Sequence, residues 1–289
     1  MDLAEIESIN ATTLKKLRET PEAVDFARDH YYGFYTVDIF ECAPFVMFTA
    51  NDCPRSQNIL YDRFFEQMSM KIWCRLAHTA SGIFDVGAHV GVYSLAAACL
   101  RSDIPIHAFE PNPYAYTRLR MHKTVNGFSN IVENRFGLAH KDGHTTFSWT
   151  IKPGLPISSG GGLAAGRPGV TESIMVEVRR LDDLAIVSQL GNRGLIKIDV
   201  EGAEAMVFSG MPNTLTSKPD IILETFSQNS CDAINAMILP LGYRVYLVRE
   251  HAGDLVPQDR LLPRSLTGGG DFNQFLTTRS DAEITQMLG

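Results

Sequence analysis

The chain has 289 residues, 45% hydrophobic and 20% charged, with a net charge of -7 and a pI of about 5.6. That size and apolar content suit one globular core with an appendage, or two small domains. The acidic balance, with no basic run longer than Lys15-Lys16 or Arg179-Arg180, argues against nucleic acid as a partner, and no apolar run approaches membrane-spanning length.

Residues Met1–His30 read as helical, with Leu14, Leu17, Ala23, Phe26 and Ala27 at irregular helical spacing and Pro21 marking a helix start. Two short strands are expected at Val37–Phe40 and Pro44–Phe48, then a turn-rich loop, Asn51–Gln57, and a long helix over Tyr61–Ala77. This front part, residues 1–80, is expected to cap the substrate side of a second domain, 81–289.

The next stretch is the one the chain is organised around. Ile83–Ser94 reads as a buried strand, a sharp turn through Asp85-Val86-Gly87-Ala88, then Gly91 and a helical run. Gly87 allows a tight turn and close approach of a ligand to the backbone. Gly91 is expected to let the helix pack against the strand. A strand at Pro105–Phe109 ends at Glu110, about twenty residues past the glycines, where an acid can accept hydrogen bonds from ribose hydroxyls. The dinucleotide pattern wants Gly-x-Gly-x-x-Gly. Here the spacing is Asp85-x-Gly87-x-x-x-Gly91, which favours an adenosine ligand without a pyrophosphate, such as S-adenosylmethionine.

A helix over Tyr114–Asn126 and a strand at Ile131–Phe136 continue the alternation. Thr145–Ile151 and Ser173–Leu181 alternate like strands and flank the Gly/Pro/Ser-rich run Pro153–Gly169. Together they read as a β-hairpin inserted near 145–180 with a long loop, Ser158–Gly162 at its tip, of the kind that often serves as a lid. A helix at Leu181–Leu190 follows, and a strand at Leu195–Val200 that delivers Asp199 and Glu201. Helix Ala203–Gly210, strand Asp220–Glu224, helix Cys231–Leu241 and strand Arg244–Val248 come next. A loop, Arg249–Gly270, leads to a last strand, Phe272–Thr277. The expected fold is α/β: a doubly wound, seven-stranded sheet.

In such sheets the ligand sits outside the carboxyl ends of the strands. Those ends deliver Asp85 and the glycine turn, Glu110, Arg135–Gly137, Asp199 with Glu201, and Glu224 with Thr225. Converging carboxylates stabilise a sulfonium or a metal, and one of them can take a proton from a substrate hydroxyl. Asp85 has a second reading, that it braces the turn through backbone amides. Lys197, inside a strand, reads as a salt-bridge partner. Glu201 and Glu204 also suit a helix start. The five cysteines, Cys42, Cys53, Cys74, Cys99 and Cys231, have no Cys-x-x-Cys spacing, so neither zinc site nor disulfide framework is indicated. With acids and no apolar signal core among the first residues, the expected location is a reducing cytoplasm.

Asp85-Val86-Gly87-Ala88-His89-Val90-Gly91, Phe109-Glu110-Pro111-Asn112-Pro113, Leu181-Asp182-Asp183-Leu184 and Ile196-Lys197-Ile198-Asp199-Val200-Glu201-Gly202-Ala203-Glu204 resemble the FkbM family of S-adenosylmethionine-dependent methyltransferases. The resemblance covers residues 37–277, and His89 stands where the family commonly has Asn. It implies a class I methyltransferase fold, Rossmann-like, with the last strand antiparallel, and S-adenosylmethionine as cofactor. It also implies O-methylation of a small-molecule hydroxyl on a sugar, macrolide or other natural product. The cofactor set becomes Asp85, Gly87, Ala88, His89, Gly91, Ser94, Glu110, Pro111, Asn112, Arg135, Phe136, Gly137 and Asp199. The catalytic set becomes Asp199, Glu201, Glu224 and His89, with no metal ligand assigned. An NAD-dependent oxidoreductase and an adenosine-ligand-binding protein without turnover are the alternatives, and a homo-oligomer stays open.

Overall fold

A computed structural model describes residues 1–25, 28–62, 66–150, 157, 161–163, 172–267 and 271–289. Helix α1, Leu3–Glu19, is capped by Asp2, whose carboxylate accepts from the Glu5 amide while Glu5 accepts from the Asp2 amide. This exchange satisfies donors that a first turn leaves unbonded. The helix expected as far as His30 stops at Glu19. Pro21 opens only a 3-10 turn, Pro21–Ala23, and Phe26 and Ala27 lie outside the described residues.

β1 (Gly33–Val37) and β2 (Phe45–Thr49) form an antiparallel hairpin. The first strand lies earlier than expected, because Tyr35 and Val37 are its inward residues. α2 (Pro54–Asp62) starts where a loop was expected. Pro54 takes a first-turn position, where a missing N–H leaves nothing unsatisfied. α3 (Gln67–Ala77) is separate from it: Glu66, at φ 45°, has left-handed backbone that a continuous helix excludes.

The core begins with β3 (Gly82–Val86), α4 (Val92–Leu100), β4 (Ile106–Phe109), α5 (Pro113–Val125) and β5 (Ile131–Asn134). β6 (Gly137–Ala139), β7 (Gly143–Trp149) and β8 (Glu172–Arg180) then form a separate three-stranded sheet in the order β6-β8-β7. The insertion is thus the expected antiparallel hairpin plus one parallel strand, β6. The run Pro153–Gly169 and its tip Ser158–Gly162 fall mostly outside the described residues. Of the described ones, Gly162 bonds the Ser148 backbone in both directions, and the Ile157 amide donates to the Asp52 carbonyl. In place of the helix expected at Leu181–Leu190 there are 3-10 turns, Leu181–Asp183 and Ala185–Arg193, interrupted at Gly191 with φ 60°.

The chain continues through β9 (Gly194–Ile198), α6 (Glu204–Ser209), α7 (Pro212–Thr216), β10 (Asp220–Glu224), α8 (Gln228–Ile238), β11 (Arg244–Arg249), β12 (Asp254–Gln258), α9 (Arg264–Thr267), β13 (Asn273–Thr277) and α10 (Asp281–Leu288). The main sheet runs β12-β11-β13-β10-β9-β3-β4-β5. It has eight strands, not seven. β12 falls in the stretch expected to be a loop; it is a half-covered edge strand carrying Pro257, which a ladder tolerates only at an edge. β13 runs antiparallel to both β10 and β11, while β5, β4, β3, β9 and β10 are mutually parallel. Strand order reverses between β3 and β9, the switch point where open sheets bind ligands.

Side chains alternate along each strand, and both faces of this sheet are buried. Ile83, Leu195, Ile222 and Phe275 join one core with α3 and α4. Phe84, Ile196, Leu223 and Leu276 join another with α6, α7 and α8. The hairpin is tied to the first face through α5. The His122 ring donates from Nδ1 to the Val90 carbonyl and accepts at Nε2 from the Phe48 amide. Asn126 exchanges two bonds with Val46, and Arg118 pairs with Asp52 at 2.5 Å.

Burial pushes the His122 pKa down to about 4 from 6.5. The folded protein therefore holds this ring neutral at pH values where the unfolded chain protonates it. The resulting stability is intact above pH 6.5 and is lost as pH falls towards 4. At 1.36 kcal/mol per unit, urea unfolding should show a loss of roughly 2–4 kcal/mol from this ring across that window. His122→Gln should lack that part of the slope; equal slopes in the two proteins would refute the assignment.

Candidate active site

The turn after β3 is built by backbone contact. Asp199 donates its amide to the Val86 carbonyl, and the amides of Gly87 and Ala88 both donate to the Phe109 carbonyl. Gly87 has φ 82°, and a Cβ there would lie 1.9 Å from the Asp199 carbonyl oxygen. The glycine expected to admit a ligand also admits the end of β9, and it lines both small cavities beside the turn. Gly91, φ 93°, precedes α4, and its Cβ would meet Leu119 of α5 at 3.0 Å. It makes room for a neighbouring helix and not, as expected, for the strand.

Asp85 is buried and accepts from the Ser94 amide at 3.0 Å and the Ser94 hydroxyl at 2.6 Å. It therefore braces the turn, and burial raises its pKa to about 6. Glu110, also buried, accepts from the His89 amide at 2.8 Å and the Asn112 amide at 2.7 Å, one bond to each oxygen. Burial raises it to about 7. Asn112 in turn caps α5 by accepting from the Tyr114 amide. His89 has left-handed backbone, φ 51°, which aims its amide at Glu110.

Two small cavities flank this turn. One, about 60 Å³, is lined by Gly87, His89, Glu110, Pro111, Asn112, Asp199 and Glu201, and is walled by Phe147 and Gly161–Leu163 of the insertion. The other, about 30 Å³, lies against Asp85, Ala88, Tyr93, Lys197 and Asp199. β9 ends at Ile198, and Glu201 has φ 54°, so the strand alternation expected to align Asp199 with Glu201 stops short. The two still line the same cavity. Among expected residues, Gly91, Ser94, Arg135, Phe136, Gly137 and Glu224 line neither. Arg135 is exposed, Phe136 packs on Phe109, and a Cβ on Gly137 would meet Leu163 at 3.3 Å. Glu224 accepts from Arg264 at 2.7 Å, and burial with nearby Asp199 raises it to about 8.

Sequence reasoning missed Arg55, which lines both cavities from α2 and pairs with Glu66 at 3.6 Å. It sat in what read as a loop. Tyr93 was also missed; its hydroxyl donates to Glu66 at 2.6 Å and its ring lies 5.2 Å from the Lys197 ammonium. Lys197 itself is buried, 3.8 Å from Asp199, and donates to Asn273 at 3.1 Å. Burial opposes its charge, but Asp199, Glu66, Glu224 and Asp85 hold its pKa above the ordinary lysine value. Among the described residues no group of His, Cys, Asp and Glu could hold a metal ion, and no helix is long and apolar enough to cross a membrane.

An open sheet whose last core strand is antiparallel, with a glycine turn after β3 and an acid after β4, is the arrangement of class I S-adenosylmethionine-dependent methyltransferases. Residues 85–245 match the family model described as the methyltransferase FkbM domain, and the chain belongs to that family. It is 28% identical over 160 residues to the hexuronic acid methyltransferase AglP of Haloferax volcanii, covering 55% of this chain and 62% of that protein. It is 28% identical over 155 residues to the 31-O-demethyl-FK506 methyltransferase FkbM of Streptomyces tacrolimicus, covering 45% and 58%. The chain thus spans about three fifths of the length of these two relatives. A crystal structure of methyltransferase FkbM from Methylobacillus flagellatus KT aligns over 68% of this chain and 43% of that one, with a TM-score of 0.42 at 16% identity.

S-adenosylmethionine is the cofactor of this domain, and the residues present fit it in kind. Glu110 uses one acceptor site per oxygen and keeps others for hydroxyls, while Asp199 offers negative charge beside the turn.

If Gly87 serves the approach of β9, Gly87→Ala should damage the fold itself. Left-handed strain and the 1.9 Å clash together should cost about 2–5 kcal/mol, read as a lower melting temperature without any ligand. Unchanged melting with weaker cofactor binding would return Gly87 to the ligand.

Proposed function

We propose that this chain O-methylates a hydroxyl of a small molecule. The observation that carries the reading is the convergence of Glu110, Asp199, Glu201 and His89 on one cavity at the sheet's switch point. Bound S-adenosylmethionine supplies an electrophilic methyl group. The chain's own residues bind, align and take up a proton. Glu110 accepts from the ribose hydroxyls, while Gly87, Ala88, Pro111 and Asn112 shape the adenosine side. Asp199 stands by the methionine end, 3.8 Å from the Lys197 ammonium. Gly91 and Ser94, with Asp85, set the turn's shape.

Glu201 and His89 are the residues best placed to clamp the acceptor hydroxyl and receive its proton. Glu224 ranks behind them because Arg264 already holds it. Residues 1–80 form a cap on the acceptor side of the cofactor-binding unit 81–289, and the insertion near 145–180 supplies the opposite wall. No role is assigned to Arg135, Phe136 or Gly137.

Calorimetry with S-adenosylhomocysteine and with NAD, followed by turnover on candidate alcohols, tests the reading. NAD binding in place of S-adenosylhomocysteine would indicate an oxidoreductase, and binding without turnover a ligand-holding protein. Asp199→Asn and Glu201→Gln should keep the fold and most cofactor affinity yet lose single-turnover methyl transfer by roughly a hundredfold or more. A variant that melts early but transfers methyl normally would make that residue structural.

The raised pKa of Glu110, about 7, gives a sign to the pH dependence. A carboxylate is the better acceptor for two hydroxyls, so binding favours the ionised form. Affinity for S-adenosylhomocysteine should fall as pH drops below about 7, by up to about tenfold per unit, and Glu110→Gln should flatten this profile while weakening binding. A wild-type profile that is flat between pH 5.5 and 8 would remove Glu110 from the ribose.

A further inference from the structure

A larger cavity lies away from the glycine turn, and its described lining residues all belong to the front segment. Its volume is about 760 Å³, inside the range of roughly 300–1,000 Å³ typical of small-molecule sites. α1, the hairpin, α2 and α3 all contribute to it, through Leu17, Phe34, Phe40, Val46, Leu60 and Met70 among others. Phe34 and Phe40 are 48% and 43% exposed, so the mouth is apolar as well as the interior.

Two features connect this cavity to the methyl site. α2 borders both: Leu60 lines the large cavity and Arg55 the two small ones, while α3 lines the large cavity through Gln67 and Met70. Glu66, at the junction of these helices, holds Arg55 and the Tyr93 hydroxyl, and the next residue, Gln67, lines the large cavity. The lining also limits the charge of an occupant. Among its described residues it carries one cation, Arg18, and one acid, Asp38. Lys71 and Arg75 lie over the Phe40 ring without lining the space, and Arg75 pairs with Glu41. A carboxylate or phosphate ligand would find no cluster of cations there. Of the uncharged polar side chains in the lining, the Tyr31 and Tyr35 hydroxyls already donate to backbone carbonyls, and Thr36 and Gln67 remain. Most hydroxyls of a sugar would therefore lie against leucine, isoleucine, valine and phenylalanine side chains, at a desolvation cost.

We propose that this cavity seats the body of the methyl acceptor, and that the acceptor is an uncharged, largely apolar alcohol whose hydroxyl reaches the cofactor past Glu66 and Arg55. The acceptor assignment rests on the methyltransferase reading, whereas the binding of an apolar molecule at this site does not.

The probe is N-phenyl-1-naphthylamine, a neutral apolar fluorophore, titrated into the full chain. Calorimetry with S-adenosylhomocysteine is run on the same samples. Wild type should bind one fluorophore per chain and release it to decanol but not to galacturonate. Leu17→Glu and Leu60→Lys should each weaken fluorophore binding at least tenfold and leave S-adenosylhomocysteine affinity within twofold. Leu266→Glu, an exposed leucine elsewhere on α9, is the control and should change neither. Phe34→Ser at the mouth replaces either interior variant that does not fold. The inference is overturned if wild type takes up no stoichiometric fluorophore, if the cavity variants behave like the control, or if uptake appears only in self-associated protein by sedimentation. Fluorophore binding without S-adenosylhomocysteine binding would instead defeat the methyltransferase reading and leave the apolar site standing.

Discussion

The buried ammonium of Lys197 is the constraint around which the site is arranged. Removing such a charge from water is costly unless opposite charges surround it. The sheet's period of two supplies them. Asp85 pairs in register with Lys197 across β3 and β9, and Asp199 follows two residues on. Glu224 and Asn273 are register partners on β10 and β13, on the face shared with Phe275 and Ile222. One lysine therefore gathers acids from separate strands onto one face at the carboxyl edge. The acids, in turn, keep the lysine charged.

That arrangement also links the front segment to the sheet. Glu250 accepts from the amides of Met68 and Ser69 at the start of α3 and lies 3.4 Å from the Asn273 amide nitrogen. Asn273 accepts from Lys197. From the other side, Glu66 meets Tyr93, whose ring lies against the same ammonium. The start of α3, which borders the apolar cavity, is thus joined by polar contacts to the end of β9. On the far edge, His122 fastens the hairpin to the Val90 carbonyl within the glycine turn. These two sets of contacts join the front segment to elements that shape the cofactor turn.

Two glycines illustrate how a motif can be read correctly in place and differently in cause. The turn lies where Asp85-x-Gly87-x-x-x-Gly91 put it. Gly87, however, yields to the Asp199 carbonyl, and Gly91 to Leu119. A glycine in sequence says that something comes close. Whether that is a ligand, a strand or a helix depends on which chain segment folds against it.

The sequence by itself determined the parallel core, because β3, β4, β9 and β10 are short, continuous apolar runs that only a sheet buried on both faces accommodates. It determined the ends of those strands, and so the positions of Asp85, Glu110 and Asp199, because the turn chemistry there is local. It also carried the family, in the contiguous stretch from Ile196 to Glu204. Only the tertiary structure decided the rest. The edge strand β12 carries Pro257 and takes its pairing from β11, so no local pattern announces it. Glu66 breaks one apparent helix into two through a left-handed backbone that apolar spacing does not register. Arg55 reaches the cofactor turn, while Arg135 and Phe136 turn away from it. These are contacts between residues far apart in the chain, and their side-chain directions are fixed by packing, which periodicity and motif spacing do not encode.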